Sequence, residues 1–472
     1  MCYAYLGTRI MLRVPFIDRR VELGVLEREY AADGFRLVVV YGRRRVGKTR
    51  LLREWLRGKR GVYFVAAELS YRQLCEEFAD VVGVELGLYV PRDDIVAALE
   101  RLAGLGERLV VVLDEFQYFV DADPSLPSRL ARSIDTRLSN SNMVIVLCGS
   151  AVSFFEKELL GYRAPLHGRR TSQLKLRPMR LLEAYGFAPK LDPSDMLRVY
   201  SMVGGTPAYL ARIYGVSSLE EAVERVIEPG NPLLEEAENL LRQELREPRT
   251  YMAILAAIAA GRRASSEIAQ ATRVDARNIH RYVSVLEELE IVSRRTPLGY
   301  RRGTRIFIVD DYFRFWFRYI LKLRSHIEAG YTDEAKAHIM ETIDQHAAET
   351  FVRFVKQHLP ELHRLNIVKP IPVEHGPWWH RGMEIDLVVR ELGKATAFIE
   401  AKWSNLDKRE ALEILGELEE KARHTGLQSP TNYYILVARR IEDQKKPVEE
   451  HANNRITVDY EKLIKALKNI GG

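Results

Sequence analysis

The sequence predicts an α/β protein built on an open parallel β-sheet, and three observations support that class. The run Leu37–Tyr41 is apolar and largely β-branched, as in a buried parallel strand, and it breaks at Gly42 into helix-forming residues. A second apolar run, Val110–Leu113, ends in paired acids. Strand and helix patterns alternate between these runs, which is typical of a parallel sheet.

Composition limits the possible class of protein. The 472 residues suggest two to four domains, and 47% hydrophobic with 29% charged residues fits ordinary globular packing. A net charge of +6 mildly favours an acidic partner such as nucleic acid. Cys2, Cys75 and Cys148 have no metal-binding spacing, which fits a reducing cytoplasm. The longest apolar runs, such as Ala253–Ala260, are too short to span a bilayer, so no membrane partner is expected.

The segment that follows the first strand predicts a phosphate-binding loop. Gly42 to Thr49 fits G-x-x-x-x-G-K-[ST] without a mismatch, between a strand and a helix. The glycines let backbone N–H groups close around a triphosphate, and the helix adds its positive N-terminal end. Lys48 can reach the β- and γ-phosphates, and the Thr49 hydroxyl can lie on Mg²⁺. The residues expected to bind ATP are Gly42, Arg43, Arg44, Arg45, Val46, Gly47, Lys48, Thr49 and Arg50.

The paired acids predict the rest of the ATP site. They lie at the carboxyl end of a strand, where ligands bind in an open parallel sheet. Asp114 suits the Mg²⁺ shell and nucleotide binding, and Glu115 suits the general base that polarises the attacking water. A further strand, Met143–Cys148, leads to Ser150, which could touch the γ-phosphate or simply end the strand in a turn.

The next segments predict helices. Residues 176–245 have helical patterns interrupted by Gly204–Pro207, which breaks one helix and starts another. The aromatic-rich stretch 311–323 is expected to pack between domains rather than to stack on bases. Patterned sequence begins directly after Met11, so Met1 and Met11 are both possible starts.

Residues 250–310 predict three short helices and a β-hairpin, the arrangement of a winged helix. The third helix is capped by Asp275, and Arg273, Arg277 and Arg281 lie at its entry and on one face, as in a DNA-recognition helix. Use as a lid or protein-interaction module is the alternative. The segment holds ten arginines against six acids; these are Arg262, Arg263, Arg273, Arg277, Arg281, Arg294, Arg295, Arg301, Arg302 and Arg305.

The C-terminal part predicts a long helix, about 335–357, followed by a hairpin with a charged group. Glu400 and Lys402 face the same side of the second strand because strand side chains alternate. Asp386 lies 14 residues earlier, on the preceding strand. Asp386 and Glu400 can hold Mg²⁺ for phosphodiester cleavage, and Lys402 can orient or activate water. Glu349 could add a carboxylate; a solvated Glu–Lys pair on an edge strand is the alternative.

Together these residues resemble the archaeal P-loop ATPase family of the AAA+/STAND, DEXX-box type. The resemblance rests on the box at Phe16–Leu23, on Gly42–Thr49, Leu113–Phe116 and Gly149–Ser150, and on the Gly204–Pro207 turn. It covers nearly the whole chain. The tail looks like the uncharacterised domain often attached to this family, with a PD-(D/E)XK nuclease-like core.

The resemblance implies roles for particular residues. By the family's pattern, Lys48, Thr49, Asp114 and Glu115 carry ATP hydrolysis. The nuclease pattern transfers Asp386, Glu400 and Lys402, although Ile385 rather than proline precedes Asp386. The Gly-Gly-Thr-Pro turn resembles the turn by which STAND proteins sense nucleotide. No motif supports an arginine finger.

The sequence therefore predicts four parts. They are a P-loop ATPase core over 11–175, a helical lid over 176–245, a winged helix with a connecting helix over 246–325, and a restriction-endonuclease-like α/β domain over 335–472. The expected function is an ATP-dependent molecular switch that binds DNA, with a possible metal-dependent nuclease tail. The alternatives are a regulatory STAND-type switch whose tail only binds DNA or protein, and an ATP-binding protein without a nucleic-acid role. A homo-oligomer or a protein partner is compatible with each.

Overall fold

The computed structural model describes residues 14–470, with side chains described as far as Leu467. It divides into two compact units, of which the first holds the described residues up to Met179 together with Thr206–Ala208. The second holds Arg180–Gly205 and the described residues from Tyr209 onward. The suggested start at Met11 lies outside the described residues. No helix between residues 14 and 470 combines the length and the apolar character needed to cross a membrane.

The first unit contains a five-stranded parallel sheet among its described residues, in the order β2-β3-β4-β1-β5. The strands are β1 (Arg36–Tyr41), β2 (Gly61–Val65), β3 (Leu109–Asp114), β4 (Met143–Gly149) and β5 (Ser172–Lys175). The predicted parallel sheet is confirmed, and strands β1, β3 and β4 coincide with the three apolar runs described above. The edge strand β5 was not predicted, because it has four residues and its side chains are partly exposed rather than an apolar run.

Apolar side chains cover both faces of this sheet. Leu37, Val39 and Tyr41 belong to one buried cluster, whereas Val38 and Val40 belong to another. A strand buried on both faces has no polar face, which explains the continuous apolar run in the sequence. The helices of this unit are α1 (Arg20–Ala31), α2 (Lys48–Leu56), α3 (Tyr71–Leu86), α4 (Ile95–Ala103), α5 (Gln117–Ala122), α6 (Leu126–Thr136) and α7 (Val152–Phe154).

The chain after Met179 is largely helical before its C-terminal sheet. The helices are α8 (Leu181–Ala184), α9 (Pro193–Val203), α10 (Pro207–Leu210), α11 (Leu219–Ile227), α12 (Glu236–Glu244), α13 (Pro248–Ala259), α14 (Ser265–Thr272), α15 (Ala276–Glu288), α16 (Asp311–Phe315), α17 (Leu321–Glu328), α18 (Thr332–Gln357), α19 (Leu359–Arg364), α20 (Lys408–Arg423) and α21 (Tyr460–Ile470). Short 3₁₀ or π turns cover Leu138–Asn140, Phe155–Leu159, Tyr185–Phe187, Ala211–Ile213, Pro232–Leu234 and Trp316–Ile320.

The aromatic stretch after the hairpin is buried inside the second unit. Tyr312, Phe313 and Trp316 are at most 1% exposed. The Tyr312 hydroxyl donates to the Leu233 carbonyl (2.6 Å), and the Trp316 indole donates to the Leu234 carbonyl (2.8 Å). These rings are therefore used for packing against the Leu233–Leu234 segment, while their predicted place between two domains stays a prediction.

Helices α13 to α15 are followed by an antiparallel hairpin of β6 (Val292–Arg295) and β7 (Arg305–Ile308). The tip of this hairpin is docked on the C-terminal sheet. The Leu298 amide donates to the Pro377 carbonyl (2.9 Å), and the Trp379 indole donates to the Gly303 carbonyl (3.0 Å). The hairpin and the sheet thus form one packed assembly within the second unit.

The C-terminal sheet has six strands among the described residues, in the order β12-β13-β11-β10-β9-β8. The strands are β8 (Glu374–His380), β9 (Met383–Glu391), β10 (Ala395–Leu406), β11 (Thr431–Ile441), β12 (Val448–His451) and β13 (Arg455–Asp459). Strand β9 pairs antiparallel with β10, and β10 pairs parallel with β11. The last residue pair between β9 and β10 is Leu387 with Ile399. Asp386 and Glu400 are the next residues on these strands, so they lie at the same end of the paired region.

Candidate functional site

The loop between β1 and α2 forms the first candidate site. Gly42 could not carry a side chain here, because a Cβ atom would lie 2.2 Å from the Leu176 carbonyl oxygen. Gly47 has a φ of +93°, in the left-handed region that favours glycine. A Cβ at Gly47 would also lie 3.7 Å from Cγ of Pro207, the first residue of α10. Both glycines of the motif therefore have a physical reason to be glycine.

Lys48 lies inside this loop. Its Nζ donates hydrogen bonds to the carbonyl oxygens of Gly42 (2.8 Å) and Arg43 (3.0 Å). Burial lowers the pKa of Lys48, while the acidic groups nearby, including Glu115 and Asp114, act in the opposite direction. The ammonium group is thus held at the phosphate loop, on acceptors that phosphate oxygens could replace.

The remaining loop residues differ in their surroundings. Arg43 and Val46 are buried, and Arg44 and Arg45 are exposed. The Arg50 guanidinium donates to the Val14 carbonyl, so its side chain is used to hold the preceding segment. The side chain of Arg50 therefore has a local structural partner, whatever its backbone N–H contributes to nucleotide binding.

Asp114 is joined to the loop by hydroxyl groups. Its Oδ2 accepts hydrogen bonds from Thr49 Oγ1 (2.8 Å) and from the Tyr63 hydroxyl (2.5 Å). The carboxylate is 1% exposed. Hydroxyl and carboxylate oxygens are ligands that Mg²⁺ takes in nucleotide sites, so Thr49 and Asp114 fit the expected ion. Tyr63 was not singled out from the sequence, because a tyrosine inside an apolar strand gives no signal of its partner.

Glu115 is held beside Asp114 in an unusual backbone conformation. Its φ is +52°, which is uncommon for a residue other than glycine. Its Oε2 accepts hydrogen bonds from Gln117 Nε2 (2.6 Å), from Ser150 Oγ (2.9 Å) and from the Ser150 amide (3.1 Å). Ser150, expected to be either a sensor or a turn residue, therefore contacts the acid itself. Gln117 was not singled out from the sequence.

Arg19, the residue directly before α1, supports the loop. The residue is 7% exposed, and its NH2 donates to the carbonyls of Val46 (3.0 Å) and Arg177 (2.8 Å). Its NH1 pairs with Glu22 (2.8 Å). Arg19 and Glu22 belong to the box at Phe16–Leu23, which was the only sequence signal for this role.

Replacing Arg19 by alanine is expected to weaken ATP binding about tenfold, because it leaves two loop-side carbonyls without their buried donor. A fluorescent ATP analogue titrated into the full chain measures this change. Arg28→Ala, at an exposed position on α1, is the matched control and should bind as the unmodified chain does. Equal affinities of the two variants would contradict the supporting role of Arg19.

A second candidate site lies on β9 and β10. Asp386 Oδ2 accepts from the Ala401 amide (2.9 Å), and Lys402 Nζ donates to Glu400 Oε1 (2.7 Å). Lys421 Nζ, from α20, lies 3.5 Å from the same oxygen. Glu400 is 5% exposed, and its Oε2 is buried without a hydrogen-bond partner among the described residues. The structure therefore brings Asp386, Glu400 and Lys402 together and adds Lys421, which no sequence motif indicated.

The charges of this group suit a divalent cation. Burial, and then the charge of Glu400, raises the pKa of Asp386 to about 6. Burial acts to lower the pKa of Lys402, but Glu400, Asp386 and Glu417 together outweigh it and the pKa is raised, so the ammonium group stays protonated. A protonated lysine can orient water or stabilise developing charge, but it cannot accept a proton. The carboxylates of Asp386 and Glu400, the latter with its unpartnered oxygen, are the type of ligand that an ion such as Mg²⁺ takes.

The expectation that Glu349 adds a metal ligand is not met. Between residues 14 and 470, no group of three or more His, Cys, Asp or Glu side chains is arranged to hold a metal ion. Glu349 instead lies 3.2 Å from Arg263 and 3.7 Å from Arg314. Arginines on neighbouring elements attract this carboxylate, and the sequence pattern of its own helix could not reveal them.

The arginines of α13 to β7 differ in their partners and in their exposure to solvent. Arg294 pairs with Glu287 (2.6 Å), and Arg305 pairs with Glu384 on β9, so these two serve the fold. Arg273, Arg277 and Arg281 are exposed. Asp275 caps α15 as predicted, since its Oδ1 accepts from the Arg277 amide (2.9 Å). Other exposed members of the segment are Arg262, Arg301 and Arg302.

Comparison with known families identifies the parts of the chain. Residues 16–213 match the family described as an ATPase domain predominantly from Archaea, which agrees with the loop and the acids described above. Residues 316–414 match a family described as archaeal and bacterial proteins of unknown function. The uncharacterized protein MJECL04 of Methanocaldococcus jannaschii is 30% identical over 439 residues, which cover 91% of this chain and 97% of the relative.

Solved structures similar to part of this chain include the following two proteins. The Walker-type ATPase PABY2304 of Pyrococcus abyssi aligns with a TM-score of 0.47 and 20% identity, covering 64% of this chain and 96% of that one. The ORC2 protein of Aeropyrum pernix, in complexes with ADPNP and ADP, aligns with a TM-score of 0.42 and 15% identity, covering 68% of this chain and 96% of that one.

Proposed function

The chain belongs to the same family as its Methanocaldococcus jannaschii relative and carries an archaeal ATPase domain, and from this premise we propose that it is an ATP-hydrolysing molecular switch that binds DNA. The observation that carries the proposal is the convergence of Lys48, Thr49, Asp114 and Glu115 at the carboxyl ends of β1 and β3. The predicted core, lid, winged helix and nuclease-like tail remain the proposed parts of the chain.

ATP binding uses the loop and the start of α2. The backbone N–H groups between Gly42 and Thr49 surround the β- and γ-phosphates, and Lys48 exchanges its two carbonyl acceptors for phosphate oxygens. Mg²⁺, when held by Thr49 and Asp114, supplies positive charge to the phosphates. Asp114 accepts hydrogen bonds from two hydroxyl donors, which keep its oxygen directed to the loop.

Glu115 acts as the general base. It accepts a proton from the water whose oxygen bonds to the γ-phosphorus, while the bond from that phosphorus to the β–γ bridging oxygen breaks and ADP leaves. Ser150 and Gln117 hold Glu115 through Oε2, which leaves the other carboxylate oxygen, Oε1, to take the proton. Pro207 lies beside Gly47, so the end of the Gly204–Pro207 turn can respond when nucleotide binding changes the loop.

DNA binding is assigned to α15 within the winged-helix arrangement. Arg273, Arg277 and Arg281 are exposed at its start and on its surface, where they can reach phosphates or base edges. The tip of the β6–β7 hairpin is docked on the C-terminal sheet, so the helix is the freer of the two usual contact elements. The proposal therefore places most of the DNA contact on one helix.

The test is DNA affinity of the double variant Arg277→Gln/Arg281→Gln. We expect weaker binding to duplex DNA and a salt dependence whose slope falls by about 1 for each phosphate that the variant no longer neutralises. Fluorescence anisotropy at several salt concentrations measures both. Arg242→Gln, an exposed arginine paired with Glu238 on its own helix, is the control. Unchanged affinity and slope in the double variant would favour a lid or protein-binding role for this segment.

A second function, metal-dependent DNA cleavage, is supported by the Asp386–Glu400–Lys402 group. The buried Glu400 oxygen without a partner is the specific observation in its favour, because an unsatisfied carboxylate oxygen is costly unless a ligand binds it. A divalent cation held by Asp386 and Glu400 would supply Lewis acidity toward a phosphodiester. Lys402 and Lys421 stabilise negative charge beside it. In the alternative function, a regulatory switch, the same group only binds DNA or protein.

A further inference from the structure

Four basic side chains, two of them over the Phe307 ring and two on α18, are linked by electrostatic repulsion. We call them the basic cluster; they are Arg263, Arg295, Arg353 and Lys356. Arg295 is central, because Arg353 and Arg263 act on it electrostatically and it acts on Lys356. The preceding residue on β6, Arg294, donates hydrogen bonds to residues of α15. Because neighbouring side chains of a strand point to opposite faces, Arg295 faces away from this proposed DNA-recognition helix.

The members of the cluster differ in their partners. Arg263 lies 3.2 Å from Glu349, and Arg353 pairs with Asp311. Arg295 and Lys356, by contrast, form no side-chain hydrogen bond or ion pair with any residue that the structure describes. The Arg295 guanidinium lies instead over an aromatic ring, 4.9 Å from the centre of Phe307.

The charge at this place is not balanced within the described chain. Arg314 also pairs with the carboxylates of Asp311 and Glu349. Among the described residues, the four members of the cluster and Arg314 thus have only these two carboxylates as counter-charges. Burial is the main reason that the pKa of Arg295 falls to about 10, and burial also lowers the pKa of Lys356. A partly buried cation without a counter-charge costs free energy, which a bound anion would offset.

We propose that the basic cluster is a phosphate-binding site separate from the P-loop. A planar guanidinium can hold two phosphate oxygens at once, and a neighbouring ammonium group adds a point charge. Phe307 fixes the orientation of two members, since Arg263 also lies over its ring at 4.6 Å. Glu349 is 40% exposed, so the cluster is open to solvent on that side.

The position of the cluster suits a phosphodiester of a nucleic-acid backbone. Helix α18 carries Arg353 and Lys356, and its Phe351 ring lies 5.2 Å from the ring of Trp403. Trp403 directly follows Lys402 on β10, so the helix of the phosphate site packs on the strand of the carboxylate site. A free phosphorylated molecule would use the same chemistry. The proposal holds whether or not α15 binds DNA.

The decisive measurement is the melting temperature of the full chain in chloride buffer with increasing inorganic phosphate. In the unmodified chain we expect phosphate to raise it in a saturable way. In Arg295→Gln we expect this rise to need about tenfold more phosphate. In chloride alone we expect this variant to melt about 2–4 °C above the unmodified chain, because it lacks a cation without a counter-charge. Retention of the full phosphate effect in Arg295→Gln would overturn the site.

Two controls separate this site from others. Lys48→Met removes the P-loop anion contact, and the Arg295-dependent phosphate effect should persist in it. Arg409→Gln, an 86% exposed arginine on α20, should behave like the unmodified chain in phosphate. A fluorescent single-stranded oligonucleotide distinguishes the source of the phosphate. Affinity lowered about tenfold by Arg295→Gln but unchanged by Arg409→Gln supports a backbone ligand, and affinity unaffected by Arg295→Gln would overturn that assignment.

Discussion

Replacing Glu115 by glutamine is expected to lower the rate of ATP hydrolysis by about 10²- to 10⁴-fold while ATP still binds. Glutamine keeps the size of the side chain and can still contact Ser150, but it cannot accept a proton from water. Lys48 and Asp114 remain in place, so the nucleotide keeps its main contacts. Phosphate release under steady-state conditions, together with nucleotide titration, measures the two quantities separately.

The control for this substitution is Glu107→Gln. Glu107 lies shortly before β3, is half-exposed and pairs with Arg60, so its loss should leave hydrolysis unchanged. If Glu115→Gln hydrolysed ATP within a few-fold of the unmodified chain, Glu115 could not be the base. If it also lost ATP binding, the substitution would have disturbed the loop, and the less intrusive Ser150→Ala would then report on the same carboxylate.

Replacing Lys402 by alanine is expected to lower Mg²⁺- or Mn²⁺-dependent DNA cleavage by at least about a hundredfold. The ammonium group contacts Glu400 and stays protonated, so it supplies the positive charge that a developing phosphorane needs. Glu400→Gln should have an effect at least as large, since it removes a proposed metal ligand. Supercoiled plasmid and single-stranded DNA, incubated with and without ATP, provide the assay.

Lys394→Ala is the matched control for cleavage. Lys394 lies on the turn between β9 and β10, is 73% exposed and pairs only with Glu391 among the described residues. Cleavage that survives both Lys402→Ala and Glu400→Gln would come from a contaminant or from another site. Absence of cleavage with either metal would leave the regulatory switch as the better interpretation of the C-terminal domain.

The features that the sequence predicted well depend on local pattern. Buried on both faces, strand β1 has to be apolar throughout, and the loop after it needs glycine at Gly42 for steric reasons. Asp275 caps α15 by accepting a hydrogen bond from the amide of Arg277, only two residues later. The edge strand β5 has no such pattern, because it is short and half-exposed and forms a strand by pairing with β1.

The site residues that the sequence missed are defined by distant partners. Tyr63 reaches Asp114 from the neighbouring strand, and Lys421 reaches Glu400 from a helix 21 residues away. Glu349 fails as a metal ligand for the same reason, because the arginines that attract it come from other elements. Residue types at fixed spacing identify a motif, but they do not identify what approaches it in three dimensions.

The docked tip of the β6–β7 hairpin also bears on how this part of the chain unfolds. The hydrogen bonds from Leu298 to Pro377 and from Trp379 to Gly303 join segments that are almost eighty residues apart, and Leu427 packs against Gly299. Separating the two segments would expose apolar surface and unpaired peptide groups on both sides. Helix α15 and the group of Asp386, Glu400 and Lys402 are therefore expected to melt in one cooperative step, so a substitution that destabilises either segment lowers the stability of both.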